Sequence, residues 1–149
     1  MTIKTFYLET PWTKLDRKSY PLADSALVLP DSADYIINGE FLELDATGKL
    51  IRGTGTGPQF AFHIDRGATD VQIARKASVL SGGSYVANTM VFAATPSFKD
   101  KLEVVSATYA GQTRSVLQTH AGGSKEVIGW VLMEAASNNE YLKFFQALV

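Results

Sequence analysis

The chain has 149 residues, 46% hydrophobic and 19% charged, with 14 Lys and Arg against 15 Asp and Glu for a formal net charge of -1. It has no cysteine, which excludes disulfides, thiolate metal centres and cysteine nucleophiles. The balanced charge lacks the clustered basic excess that phosphate neutralisation requires, so a nucleic-acid partner is not expected. The length suits one domain whose core needs no covalent staple.

In chain order, residues 1–30 stand apart. Pro11, Pro21 and Pro30 fall about every ten residues, each fixing φ and pushing its predecessor towards extended backbone. No period of 3.6 runs through the apolar positions. The pattern predicts an extended N-terminal arm, 1–30, carrying one or two short strands. The arm could lie along a neighbouring subunit or pack on its own domain. Residues 1–15 lack the basic start and apolar stretch of a signal peptide. The longest apolar run, 127–133, is far below the ~20 residues of a membrane helix, so a soluble chain without a membrane partner is expected.

From 31 to 149 the pattern predicts one β-domain. Tyr35-Ile36-Ile37, Asn38-Gly39 and residues 40–44 read as a hairpin on a type I′ turn. Asp45-Ala46-Thr47-Gly48 is the next turn, returning through Leu50-Ile51-Arg52. Residues 53–58, rich in Gly and Thr, read as a flexible connector. Phe60, Phe62 and Ile64 alternate with Ala61 and His63, the period of a half-buried strand. Further short strands are predicted at 71–73, 78–80, 85–92, 102–105, 115–117, 127–133 and 141–145. Turn signals at Arg66-Gly67, Ser81-Gly82-Gly83, Thr95-Pro96-Ser97, Ala110-Gly111 and 135–139 separate them. Trp130 is expected inside a core strand. The only helix conceded is a short one at 134–138. About ten short strands predict an all-β, antiparallel sandwich or barrel, jelly-roll-like or tulip-like. No fixed-period repeat is visible.

Reactive constellations are scarce. His63 and Asp65 would share one strand face, which could begin a metal site or a base–orienter pair, but no third ligand follows at a known spacing. An ordinary surface or interface histidine is the simpler reading. His120 stands beside Ala121-Gly122-Gly123 without a partner. There is no G-x-S-x-G elbow. The Gly53–Gly57 stretch continues into Pro58-Gln59-Phe60 rather than a Walker lysine, and Asp45–Gly48 lacks the carboxylates of a calcium loop. No catalytic residue, cofactor or metal is expected.

Three stretches resemble the small β-rich decoration (cement) proteins on the capsids of tailed bacteriophages. One is Ile36-Ile37-Asn38-Gly39-Glu40-Phe41-Leu42-Glu43-Leu44-Asp45, followed by Gly48-Lys49 and Arg52-Gly53. The second is 86–92 leading to Phe98-Lys99-Asp100-Lys101-Leu102-Glu103-Val104. It is similar to a G-D-x-L-x-V element, with Lys99 at the position glycine usually takes. The third is Val127-Ile128-Gly129-Trp130-Val131-Leu132-Met133-Glu134-Ala135-Ala136, then Tyr141-Leu142-Lys143-Phe144-Phe145. Together they cover roughly 35–149.

The resemblance implies a virion structural protein, made in the host cytoplasm and placed on the capsid surface. It would bind the major capsid protein, bridge neighbouring capsid subunits and associate with itself, usually as a homotrimer. Multivalent attachment of that kind gains affinity from effective concentration. Phe6, Tyr7, Trp12 and Tyr20 are then the candidate partner-binding residues, as large aromatics often anchor interfaces; the alternative is that they cap the chain's own core. A second function class is a receptor- or glycan-binding domain of a tail fibre or spike, with Asn138, Asn139 and Tyr141 as its only loop candidates. An enzyme with dispersed catalytic residues ranks last.

Overall fold

The computed structural model describes residues 5–11, 14–23, 36–63, 76–137 and 140–148. Among them lie ten strands and no helix. They are β1 (Phe6–Leu8), β2 (Asp16–Pro21), β3 (Phe41–Leu44), β4 (Leu50–Arg52), β5 (Phe60–Ala61), β6 (Lys76–Thr89), β7 (Lys101–Tyr109), β8 (Gln112–Thr119), β9 (Gly129–Met133) and β10 (Leu142–Leu148). Seven form a curled antiparallel sheet, a half-barrel, in the order β1-β6-β10-β9-β7-β8, with β2 also paired to β6. A second, small sheet has the order β4-β3-β5. The chain is therefore all-β and antiparallel, as its turn spacing predicts.

The spine is β6, whose 14 residues replace two expected strands and the turn between them. Ser81-Gly82-Gly83 is not a turn. The ladder with β2 pairs Asp16 with Gly82 and then Arg17 with Leu80, so Ser81 is the extra residue of a bulge. Glycine is needed there because the opposing segment comes very close. A Cβ on Gly82 would lie 2.6 Å from Asp16 Oδ2, and Gly83 has φ +84. Glycines that read as a chain reversal instead mark a bulge.

The described part of the N-terminal arm lies along this same strand. Phe6 pairs with Thr89 and Leu8 with Ala87, and β2 continues along residues 76–82. Between them, Thr10 Oγ1 accepts from the Val86 amide. Phe6 is 2% exposed and packs in the main core, and Tyr20 packs on a second apolar cluster.

The Asn38-Gly39 turn exists, with Glu40 N donating to Ile37 O. Only Gly39 has positive φ, whereas a type I′ turn needs it at both central residues; a single positive φ at the third position is the type II pattern. The hairpin expected from it does not form. β3 pairs instead with β4 and β5. The Asp45 turn joins β3 to β4 as expected. Asp45 Oδ1 accepts from Thr47 N, Thr47 Oγ1 and Lys49 N, and those bonds, Thr47's first, hold its carboxyl below the usual range. Residues 53–57 are pinned rather than flexible. Gly53 N donates to Phe41 O and Glu126 N to Gly55 O, and Ser115 Oγ donates to Gly53 O. Ala110-Gly111, with φ of 51° and 79°, closes β7 onto β8 as a two-residue type I′ loop between Tyr109 and Gln112.

The main core gathers Phe6, Phe41, Tyr85, Leu102, Leu117, Val131, Leu142 and Phe144 from both sheets. The other face of the small sheet packs Leu42, Leu50 and Phe62 against Leu22, Ile36 and Val79. Alternation therefore holds around β5, with Ala61 in the main core and Phe60 and Phe62 on the second cluster, but both faces are covered, so the segment is not half-buried. Residues 134–137 are not helical. The strand at 71–73, Arg66-Gly67, Ile64 and Asp65 lie outside the described residues.

Candidate functional site

Successive residues of a strand point to opposite faces, so parity decides what β9 and β10 show to solvent. Val131, Leu142 and Phe144 point inward and are no more than 1% exposed. Trp130 points the other way. It is 41% exposed, against the expectation that it is a core residue. The cause is Gly129, whose Cβ would lie 2.0 Å from Phe145 O. Glycine marks the position pressed against the neighbouring backbone, and its successor Trp130 takes the outer face.

Cross-strand register builds that face. Trp130 stands between Phe145 on β10 and Lys101 on β7, and stacks on Phe145 with centroids 6.2 Å apart. The ladder pairs Lys143 with Met133 and Phe144 with Val131, so Leu132 is a bulged residue. Leu132 and Met133 are both exposed, at 42% and 57%. Phe98 joins from the segment before β7. Lys99 N donates to Val131 O, Glu134 Oε1 accepts from Phe98 N, and Phe98 is 55% exposed. Trp130, Leu132, Met133 and Phe98 thus form a group of large apolar side chains facing water on a hydrogen-bonded sheet. Exposed apolar side chains of that kind on a sheet face are where a contact surface is sought.

Charges edge this face. Lys99 lies over the Phe98 ring at 5.5 Å, and Lys101 is exposed beside Trp130. On the far side, Lys143 pairs with Glu9 at 2.9 Å, and Glu9 also accepts from Asn88 Nδ2. These bonds, that of Lys143 first, hold the Glu9 carboxyl below its ordinary range. Tyr7 shares this flank, opposite Asn88, and meets Tyr141 edge-on at 5.0 Å.

The four aromatics expected to bind a partner therefore separate. Tyr7 is partly exposed on the outer face; Phe6 is a core residue; Tyr20 is half-buried on the second cluster. Trp12 lies outside the described residues, as do Asn138 and Asn139. Sequence reasoning missed Phe98, Leu132, Met133 and Phe145 as surface residues. For Leu132 the signal was available in the parity set by Gly129, whereas Met133 is exposed because the bulge at Leu132 shifts the register.

The histidines find partners that spacing did not suggest. Arg17 lies 2.9 Å from His63 Nδ1, and because a guanidinium only donates, that nitrogen accepts. His120 Nδ1 is 3.3 Å from Oε1 of the buried Glu103, which accepts from Ala121 N. Inside the fold, Glu40 is fully buried between Arg52 at 2.9 Å and Arg114 at 3.0 Å, and also accepts from Ile37 N and Ser115 N. This cluster ties the small sheet to β8. Its carboxylate is saturated with donors, as a buried charge requires. Among the described residues, no group of three or more His, Asp or Glu is placed to hold a metal ion.

No family model, no curated protein and no solved structure matches the chain.

Proposed function

We propose that the chain is a virion structural protein of the capsid-decoration type. It binds the outer surface of an assembled tailed-phage capsid and reinforces it by bridging neighbouring capsid subunits. The observation that carries this reading is the exposed apolar group Trp130, Leu132, Met133 and Phe98 on a braced sheet face, which suits docking to protein. Its link to capsids comes from the three stretches that resemble cement proteins. The backbone at Lys99 supports that resemblance. Lys99 has φ +70, the left-handed conformation that glycine adopts without strain, at the position where the motif usually has glycine. Binding through an exposed face needs no cofactor, and many copies on a lattice turn modest single contacts into stable attachment.

The test is addition of purified protein to expanded and unexpanded heads of the phage that carries the gene. Saturable binding to expanded heads, with higher shear or thermal resistance of the particle, is the expected result. Binding to neither form contradicts the proposal, and binding to cell-surface glycan in its place would move the chain to the receptor-binding class.

A further inference from the structure

We infer that the partner surface seated on this face is protein with an apolar centre edged by carboxylates, which meet Lys99 and Lys101. The inference rests on the docking role of the outer face and adds the chemistry of its occupant. The centre is set by Trp130, stacked on Phe145, with Leu132 exposed on the same strand and Phe98 exposed on the segment that bonds to Val131. Such a surface takes an apolar or aromatic side chain, because burying it recovers area that neither partner hides alone.

The edge is set by which charges remain free to meet a partner. No ion pair within 4.0 Å joins Lys99 or Lys101 to a described carboxylate. Asp100, between them in sequence, is turned away. Its Oδ2 accepts from Thr119 Oγ1 and Ser97 N, and Thr119 stands opposite the inward-facing Leu102, on the other side of the sheet from Lys101. Glu103 shares a face with Lys101 but is 2% exposed and holds Ala121 N. Glu134 is engaged by the Phe98 amide, and Glu9 by Lys143 and Asn88. The β7 side of the apolar centre therefore offers two exposed ammonium groups, and the described acids near them point elsewhere or are engaged. A carboxylate beside a buried apolar knob meets both features at once. A uniformly apolar partner would leave the two lysines desolvated without a counter-charge.

A random-peptide library displayed on yeast, selected with the purified chain, tests this directly. The expected winners place Asp or Glu next to Trp, Phe, Leu or Met. Their binding should fall by about tenfold or more with Trp130→Ser, the loss expected of a central aromatic. It should also fall with Lys101→Glu, while added salt weakens the wild type. Far-UV circular dichroism of both variants should match the wild type, since both side chains are exposed. Winners without acids, winners indifferent to Lys101→Glu, or heparin binding the wild type and Trp130→Ser alike would each overturn the inference, the last by reducing the face to a generic polyanion patch. The two proposals fail separately. Heads bound equally by wild type and Lys101→Glu would remove the inference and leave decoration standing. Acid-edged peptides without any head binding would do the reverse.

Discussion

The inner and outer faces of β9 and β10 are made from the same two strands and nearly the same residue types, yet they have opposite fates. Inward, Val131, Leu142 and Phe144 are sealed between the large sheet and the small one. Outward, Trp130, Leu132 and Met133 meet water, with Phe145 stacked beside the indole. Hydrophobicity does not separate the two sets; parity does, and a glycine and a bulge set the parity. An apolar side chain on the inner face stabilises the fold. On the outer face, the same chemistry faces water, and under the proposed function it is what docks to a partner.

Substitutions sharpen that contrast, and the inner face should respond most. Phe144→Ala removes a fully buried ring that meets Phe6, Phe41 and Tyr85, and should cost about 3–5 kcal/mol in a denaturant melt. Glu40→Gln should follow at about 3 kcal/mol, because it removes the buried carboxylate charge that pairs with Arg114, itself 2% exposed. Trp130→Ser should lower stability by only about 1 kcal/mol, the value of a partly buried ring and one stacking contact. A loss as large as that of Phe144→Ala would put Trp130 back in the core and break the comparison. Lys99→Gly should be neutral or stabilising by up to about 1 kcal/mol, since glycine relieves the positive φ; a clear loss would mean the left-handed conformation is not adopted there.

The smallest effect is titration on the outer face. The folded-state pKa of Glu9 lies below its ordinary 4.5. A depressed carboxylate stabilises the fold above its unfolded pKa and loses that contribution as pH falls through the folded value. The stability of the wild type should therefore drop below pH 4.5 by a small increment that Glu9→Gln lacks. Paired acid titrations of the two proteins measure it, and identical curves would remove the Glu9–Lys143 pair from the account.

Much of the fold was legible because turn chemistry is local. Ala110-Gly111 and the Asp45 turn announce their hairpins through φ preferences and short side-chain bonds that need no distant partner. Gly82-Gly83 misled because glycine signals a special backbone without saying which kind. Only the approach of Asp16, from the other end of the chain, makes it a bulge. The Glu40–Arg114 pair, 74 residues apart in sequence, leaves no local trace. The outer face was hidden for a different reason. Residues 127–133 are apolar on both parities, so periodicity could not say which set was inside, and the largest ring was placed in the core. Gly129, read as the inward position that tolerates no Cβ, would have assigned Trp130 to the surface.

The most direct measurement compares the affinity of wild type and Trp130→Ser for expanded heads, by quantitative co-sedimentation, at matched fold stability. With the outer face as the docking surface, the variant should bind about 30-fold more weakly, the ~2 kcal/mol of a hot-spot aromatic. Equal affinity would show that the apolar side chains of β9 face solvent without touching the partner, and the central claim would fall.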